Sequence, residues 1–207
     1  MHVMGSRSTS AEAKRGRLGK YPPNTVALDN NSSVIETERL VVRLPRVDDA
    51  KALLEFVGDP EVMHPIGDEP GGPEKAEVLV DRWLKRWERN GVGQFIVERD
   101  CQLIGRVGLI VWDRRSWETS AYELAGEHAQ EELGWALVRS AWGHGYATEA
   151  AQAVKSWCRE ERGIERLVSL IAPDNARSQR VAEKLGARPE ERIETTVGPT
   201  DVWVYPH

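Results

Sequence analysis

The chain has 207 residues, of which 40% are hydrophobic and 29% charged, with a formal net charge of −5. This balance predicts one soluble globular domain with a sizeable core and argues against a general nucleic-acid binder. No apolar run approaches a membrane span, no secretory signal opens the chain, and Cys101 and Cys158 make neither a disulfide framework nor a zinc spacing. A cytoplasmic protein is the expectation.

Residues 1–33 are polar and aperiodic, and Arg7, Lys14, Arg15, Arg17 and Lys20 make them basic. They are expected to form a disordered tail ahead of a domain over 34–207. A strand is predicted from Glu38 to Leu44. Asp48 or Asp49 then caps a helix through Val57, with Ala50, Leu53, Leu54 and Val57 inward. Asp59 to Met63 reads as a second helical turn, and Pro70-Gly71-Gly72-Pro73 as a loop. The helix after it runs to about Arg89, with the stripe Ala76, Val80, Trp83, Leu84 and Trp87.

Gln94 to Glu98 and Leu103 to Trp112 form a hairpin across Asp100. Gly105 and Gly108 in its second strand predict a close approach or a bulge. Asp113 to His128 reads as a charged loop. The fourth strand runs from Glu132 to Val138, and a helix from Tyr146 ends at Gly163, with Cys158 on its buried stripe. Arg166 to Ala172 is nearly all apolar, as a strand buried on both faces should be. A helix from Asp174 or Asn175 stops at Gly186, and strands near Arg192 to Thr196 and Asp201 to Tyr205 close the chain. The fold class is α+β, with helices around one mixed, mostly antiparallel sheet.

The richest segment is Trp142-Gly143-His144-Gly145-Tyr146-Ala147-Thr148-Glu149-Ala150. A strand, a glycine turn and a helix N-terminus together make an anion site. Glycines clear the approach, free first-turn N–H groups point outward, and the helix dipole adds positive potential. A pyrophosphate cradle follows. No Lys-Ser/Thr pair ends the turn, as a Walker loop requires, and the three spaced glycines and later acidic strand residue of a Rossmann fingerprint are absent.

Three segments in order resemble one family. Trp142 to Ala150 resembles the acyl-CoA loop of the GNAT acetyltransferases, with Trp in the first position as in the RimJ/RimL-like branch. Thr37-Glu38-Arg39-Leu40-Val41-Val42-Arg43 resembles that branch's Thr-x-Arg-Leu-x-Leu-Arg opening. Asp174 to Gly186 is similar to the family's helix after the fifth strand. The resemblance covers about Ile35 to Tyr205. It implies the GNAT fold, with the fourth and fifth strands splayed around acetyl-CoA as co-substrate, and no metal. It also implies an amine acceptor, either a protein N-terminus or a small molecule, with no specific nucleic acid or membrane partner. Relatives occur as monomers and homodimers. Two alternatives are a non-catalytic acyl-CoA-binding module and an acyltransferase for longer chains.

By the same resemblance, the backbone N–H groups of His144, Gly145, Tyr146, Ala147 and Thr148 meet the pyrophosphate, and the backbone of Leu137 and Val138 meets the pantetheine arm. The His144 side chain either adds a contact or is an exposed turn residue. Asn175 matches the family asparagine that meets the cofactor, a role compatible with helix capping. Arg177 and Arg180 either approach the 3′-phosphate or are solvated. Many relatives carry a tyrosine acid where this chain has Ala182, and Ala187 replaces the usual phenylalanine. Ser178 is therefore the candidate to hydrogen-bond the leaving thiolate, or it packs against the sheet. Glu132 is the candidate general base, in a wall formed by Trp135 and other tryptophans, or it is a strand salt-bridge partner. Glu131 faces the other way, and dipole compensation accounts for Glu149. Trp112, Trp117, Met63 and His64 are placed towards the acceptor side.

Overall fold

The computed structural model describes residues 34–206, so the predicted basic tail lies outside the described residues. In chain order the elements are β1 (Val34–Glu36), β2 (Val41–Arg43), α1 (Leu54–Gly58), α2 (Pro60–Met63), α3 (Pro73–Asn90), β3 (Gln94–Arg99) and β4 (Gln102–Asp113). Then come β5 (Glu118–Thr119), α4 (Tyr122–Ala125), β6 (Ala129–Leu137), α5 (Tyr146–Arg162), β7 (Leu167–Ile171), α6 (Ala176–Lys184), β8 (Arg188–Thr195) and β9 (Gly198–Val204). The fourth and fifth strands of the sequence reading are β6 and β7.

The sheet runs β1-β2-β3-β4-β6-β7-β9-β8, with β5 beside β4. Every pairing is antiparallel except β6 with β7. This is the expected mixed, mostly antiparallel sheet. One face carries Phe95, Val107, Leu109 and Leu133 against α5, where Phe95 meets Trp87 and Trp157 edge-to-face at 4.7 and 5.2 Å. Cys158 is buried there, and burial pushes its thiol well above the ordinary range. Among the described residues, no helix is long and apolar enough to cross a membrane.

The glycine reading of β4 has a clear physical cause. A Cβ on Gly105 would lie 2.3 Å from the Ala136 carbonyl oxygen, and one on Gly108 2.2 Å from that of Gly93. Between β3 and β4 the register also shifts at Val97/Glu98, leaving Ile104 as the extra residue of a bulge.

The segment after β2 differs from the prediction. The single helix to Val57 is two pieces, a 3-10 turn over Val47–Lys51 and then α1. Asp49 does not cap a long helix. It takes two hydrogen bonds from Arg43, at 2.6 and 2.9 Å, and one from the Arg46 amide at 2.7 Å. That tie ends β2 in a tight turn and changes the helical phase. Phe56 is buried in consequence and Leu54 is exposed. On α3, Leu79 fills the core stripe and Leu84 is only half-buried. The loop expected over 113–128 contains β5, α4 and a 3-10 turn, elements too short to produce a periodic signal.

Arg43 also donates to Glu98 at 2.9 and 2.6 Å, so one buried guanidinium holds β2, β3 and the following turn. Hydrogen bonds from Arg43 to Asp49 raise its affinity for its proton well above the usual range. Substituting Arg43→Gln leaves the buried Asp49 carboxylate uncompensated and is expected to cost about 3–5 kcal/mol in urea unfolding. A loss within the ordinary surface range would remove this cluster from the account.

Candidate active site

Strands β6 and β7 are paired only at Glu131↔Leu167 and Glu132↔Val168. Beyond that point β6 continues along β4, and β7 continues along β9. The two strands therefore form a fork that opens from Glu132 towards Leu137. Side chains close its apex: the Ser169 hydroxyl donates to the Leu133 carbonyl and shares a 2.7 Å hydrogen bond with the Tyr205 hydroxyl. Tyr205 and Ser169 were not read as site residues. The only local signal for this closure is a serine inside an otherwise apolar strand.

At the open end, Val138 N–H bonds Ile104 O at 2.9 Å, and Val138 O accepts from Ala141 at 3.0 Å. Both of its backbone groups are thus already partnered. The Leu137 carbonyl accepts from Trp142 Nε1 at 2.8 Å. Antiparallel alternation turns the N–H of Leu137 away from β4, into the fork.

The glycine turn follows. Gly143 and Gly145 have φ of 79° and 82°, a left-handed backbone that side-chain-bearing residues resist. The first intrahelical bond of α5 is Glu149 N–H to Gly145 O at 3.0 Å. The N–H groups of Tyr146, Ala147 and Thr148 precede it and have no acceptor among the described residues. His144 is exposed, and its ring stacks on Tyr146 at 5.4 Å.

A brace fixes this turn, and it is the largest feature that sequence reasoning missed. Glu149 accepts from Thr37 Oγ1 (2.6 Å), Arg39 N–H (3.0 Å) and Arg39 Nε (2.7 Å). Arg39 also donates to the His144 carbonyl at 3.1 Å and lies over the Tyr146 ring at 4.7 Å, with Arg99 over the same ring at 4.9 Å. Burial raises the carboxyl pKa of Glu149, but the Thr37 and Arg39 hydrogen bonds outweigh it and hold the group below its ordinary range. Dipole compensation is therefore not the whole role of Glu149. The Thr37-x-Arg39 motif and Glu149 are 110 residues apart in sequence and joined only by folding.

Glu132 is buried on the sheet face opposite α5. Its Oε2 accepts from Trp112 Nε1 at 2.6 Å. Trp135 lies on the other face, since strand side chains alternate and the two are three residues apart. The expected tryptophan wall is thus Trp112, not Trp135. Burial raises the carboxyl pKa of Glu132, opposed by the Trp112 hydrogen bond, the charges of Arg106 and Arg86, and the Leu170 amide. No ion pair within bonding distance is made to it among the described residues. Gly134 clears the space beside it: a Cβ there would sit 3.1 Å from Arg106 Nη1 and 3.6 Å from Glu132 Oε1. Glu131 faces α5 as expected and accepts from the Tyr122 hydroxyl.

Across the fork, Asn175 caps α6 by accepting from Ser178 N–H at 3.1 Å. Ser178 is half-buried in the first turn, and its hydroxyl has no partner among the described residues. Ala182 is fully buried, so a side chain one turn further on would enter the core. Arg177 lies over the Trp142 ring at 4.0 Å and pairs with Glu61 at 3.6 Å. Met63 is buried and His64 exposed.

A family model for the GNAT acetyltransferase domain matches residues 39–188. The uncharacterized N-acetyltransferase YnaD of Bacillus subtilis (strain 168) is 28% identical over 169 residues, covering 82% of this chain and 91% of YnaD. An acetyltransferase of Agrobacterium tumefaciens superposes with a TM-score of 0.67 at 25% identity, over 84% of this chain and 95% of that one. RimL, a ribosomal L7/L12 alpha-N-protein acetyltransferase solved with coenzyme A, has the same fold at a TM-score of 0.68 and 16% identity, over 83% and 97%. With the forked sheet and the glycine turn in place, the family match settles the assignment: the chain belongs to the GNAT N-acetyltransferases and has RimL-like structural relatives.

Proposed function

We propose that the chain moves an acetyl group from acetyl-CoA to an acceptor amine by direct attack. The observation that carries this reading is the fork, which opens beyond Glu132 and ends at free first-turn amides. The coenzyme A complex of RimL, which has the same fold, supports it.

The N–H groups of Tyr146, Ala147 and Thr148, with those of His144 and Gly145, form the pyrophosphate cradle, and the α5 dipole adds to it. The Arg39–Glu149 brace sets the turn before the ligand arrives, which reduces the ordering cost of binding. Leu137 N–H is the donor to the pantetheine arm, and Val138 contributes wall rather than a hydrogen bond. Asn175 orients the start of α6 beside the arm.

The attacking nitrogen must be neutral. Glu132 takes the proton that it loses, directly or through water, through the oxygen that Trp112 leaves free. Its raised pKa suits that task. As the new C–N bond forms and the C–S bond breaks, the Ser178 hydroxyl hydrogen-bonds the departing thiolate. A serine is too weak an acid to be its main proton source.

The alternative of an acyl-CoA-binding module without turnover predicts cofactor binding and no thiol release. A thiol-release assay against peptides with free N-termini, aminoglycosides and polyamines separates the two.

Two variants test the parts. Gly145→Val places a β-branched side chain at a φ of 82° and should weaken acetyl-CoA binding about tenfold or more in calorimetry. Unchanged affinity would remove the turn as the cradle. Glu132→Gln should lower kcat by about 10²–10⁴ with little effect on acetyl-CoA affinity. The wild-type rate should rise with pH as the Glu132 carboxyl deprotonates, with a midpoint above the ordinary carboxylate range, and the variant should lose that limb. Persistence of the limb in the variant would exclude Glu132 as the base.

A further inference from the structure

Around Glu132 the guanidiniums of Arg82, Arg86 and Arg106 outnumber the carboxylates of Glu132 and Asp68. On α3, Lys75, Arg82 and Arg86 fall on one stripe at i, i+7 and i+11. Asp68 pairs with the first two, accepting from Lys75 and, at 2.9 Å, from Arg82. Arg86 makes no hydrogen bond or ion pair among the described residues. Arg106, from β4, donates only to the neutral Gln94 Oε1 at 3.0 Å. Two guanidiniums therefore lie near Glu132 without a hydrogen bond or ion pair to it, Asp68 being the other carboxylate that acts on Arg106.

The surroundings show the imbalance. Burial, with repulsion from Arg86 and Arg82, pushes the Arg106 pKa down to about 10 against the pull of Glu132 and Asp68. Burial and Arg82 lower that of Arg86 as well. Arginine keeps its proton at neutral pH, so the cost remains in the folded state. Arg82 Nε is also buried without a partner. A purely structural ion-pair cluster would be matched in charge and hydrogen-bonded throughout.

The arginines also mark a path. The Arg82 side chain is 41% exposed, Arg86 is half-buried, and Arg106 and Glu132 are 8% and 9% exposed. Exposure falls from Arg82 inward to the candidate base, and Gly134 lets Arg106 come close: its Nη1 lies 3.1 Å from where a Cβ would stand, with Glu132 Oε1 at 3.6 Å.

We propose that the acceptor carries an anionic group, a carboxylate or phosphate, close to its reactive amine, and that Arg86 and Arg106 receive it while Glu132 faces the amine. This rests on the acetyl-transfer reading of the fork. The same cations favour the neutral form of a bound amine, which is the nucleophile. They disfavour polycationic acceptors such as polyamines and aminoglycosides.

The test uses matched acceptors in the thiol-release assay: alanine against alaninamide, phosphoethanolamine against ethanolamine, and peptides beginning with Asp against Asn, with spermidine as the polycation. In at least one pair the anionic member should have a kcat/KM roughly tenfold to a hundredfold higher. The three pairs distinguish a free amino acid, a phosphate-bearing amine and a peptide terminus. Arg86→Gln should erase most of that advantage at an unchanged KM for acetyl-CoA, and Arg86→Lys should restore part of it. Equal rates within every pair, or a preference for spermidine, would overturn the proposal. If no acceptor releases thiol, N-acetylaspartate is titrated calorimetrically into the CoA-loaded protein. Binding that Arg86→Gln abolishes supports the anion site even where the transfer reading has failed, and no binding to the wild type refutes it. Failure of CoA itself to bind would count against the reading of the fork, not against the arginine site.

Discussion

Strands β6 and β7 share a parallel ladder at Glu131 and Glu132 and then part, because each has an antiparallel partner on its outer side that it follows instead. Twisted strands drawn to different neighbours diverge, and the backbone groups between them lose their ladder. In an ordinary sheet that would be an expensive defect, since buried N–H and C=O groups need partners. Here the Ser169 hydroxyl takes the Leu133 carbonyl at the apex, and the Trp142 indole takes the Leu137 carbonyl at the rim. The donors that remain are those a ligand arm would use.

The two ends of the fork differ in their electrostatics. At the glycine turn, positive potential comes from backbone N–H groups and a helix dipole, and a half-buried carboxylate, Glu149, holds the turn in shape. On the other side of the apex, charge comes from arginine side chains near the buried carboxylate Glu132. Both arrangements depend on distant segments. Thr37 and Arg39 reach across to α5, and the α3 stripe reaches across to β6. Segments before β3 thus reach both the glycine turn and the sheet face around Glu132.

Much of this was legible in the sequence. Strand-like patterning and glycine punctuation located β3, β4 and β6, a nearly all-apolar run located β7, and the glycine turn stood out because two glycines lie between a strand and an alanine-rich helix. What escaped was what folding alone brings together. In the Arg39–Glu149 brace and the Arg43–Asp49–Glu98 cluster, Glu149 and Asp49 read locally as helix-end charges, and the other three as strand residues. Trp112 was one tryptophan among eight, and only strand register puts its indole on Glu132 while sending Trp135 to the opposite face. The arginines of α3 look like a solvated helix face until β4 adds Arg106 beside them. Short elements such as β5 and α4 are too brief for any period to show.

The central claim is that the fork and the glycine turn together form one acetyl-CoA site. Amide hydrogen exchange with and without acetyl-CoA tests it most directly, because the claim concerns specific backbone N–H groups. Protection should appear together at the amides of Gly145 to Thr148 and at Leu137, while Val138, already bonded to Ile104, should change little. Unchanged exchange at both segments under saturating acetyl-CoA would contradict the account.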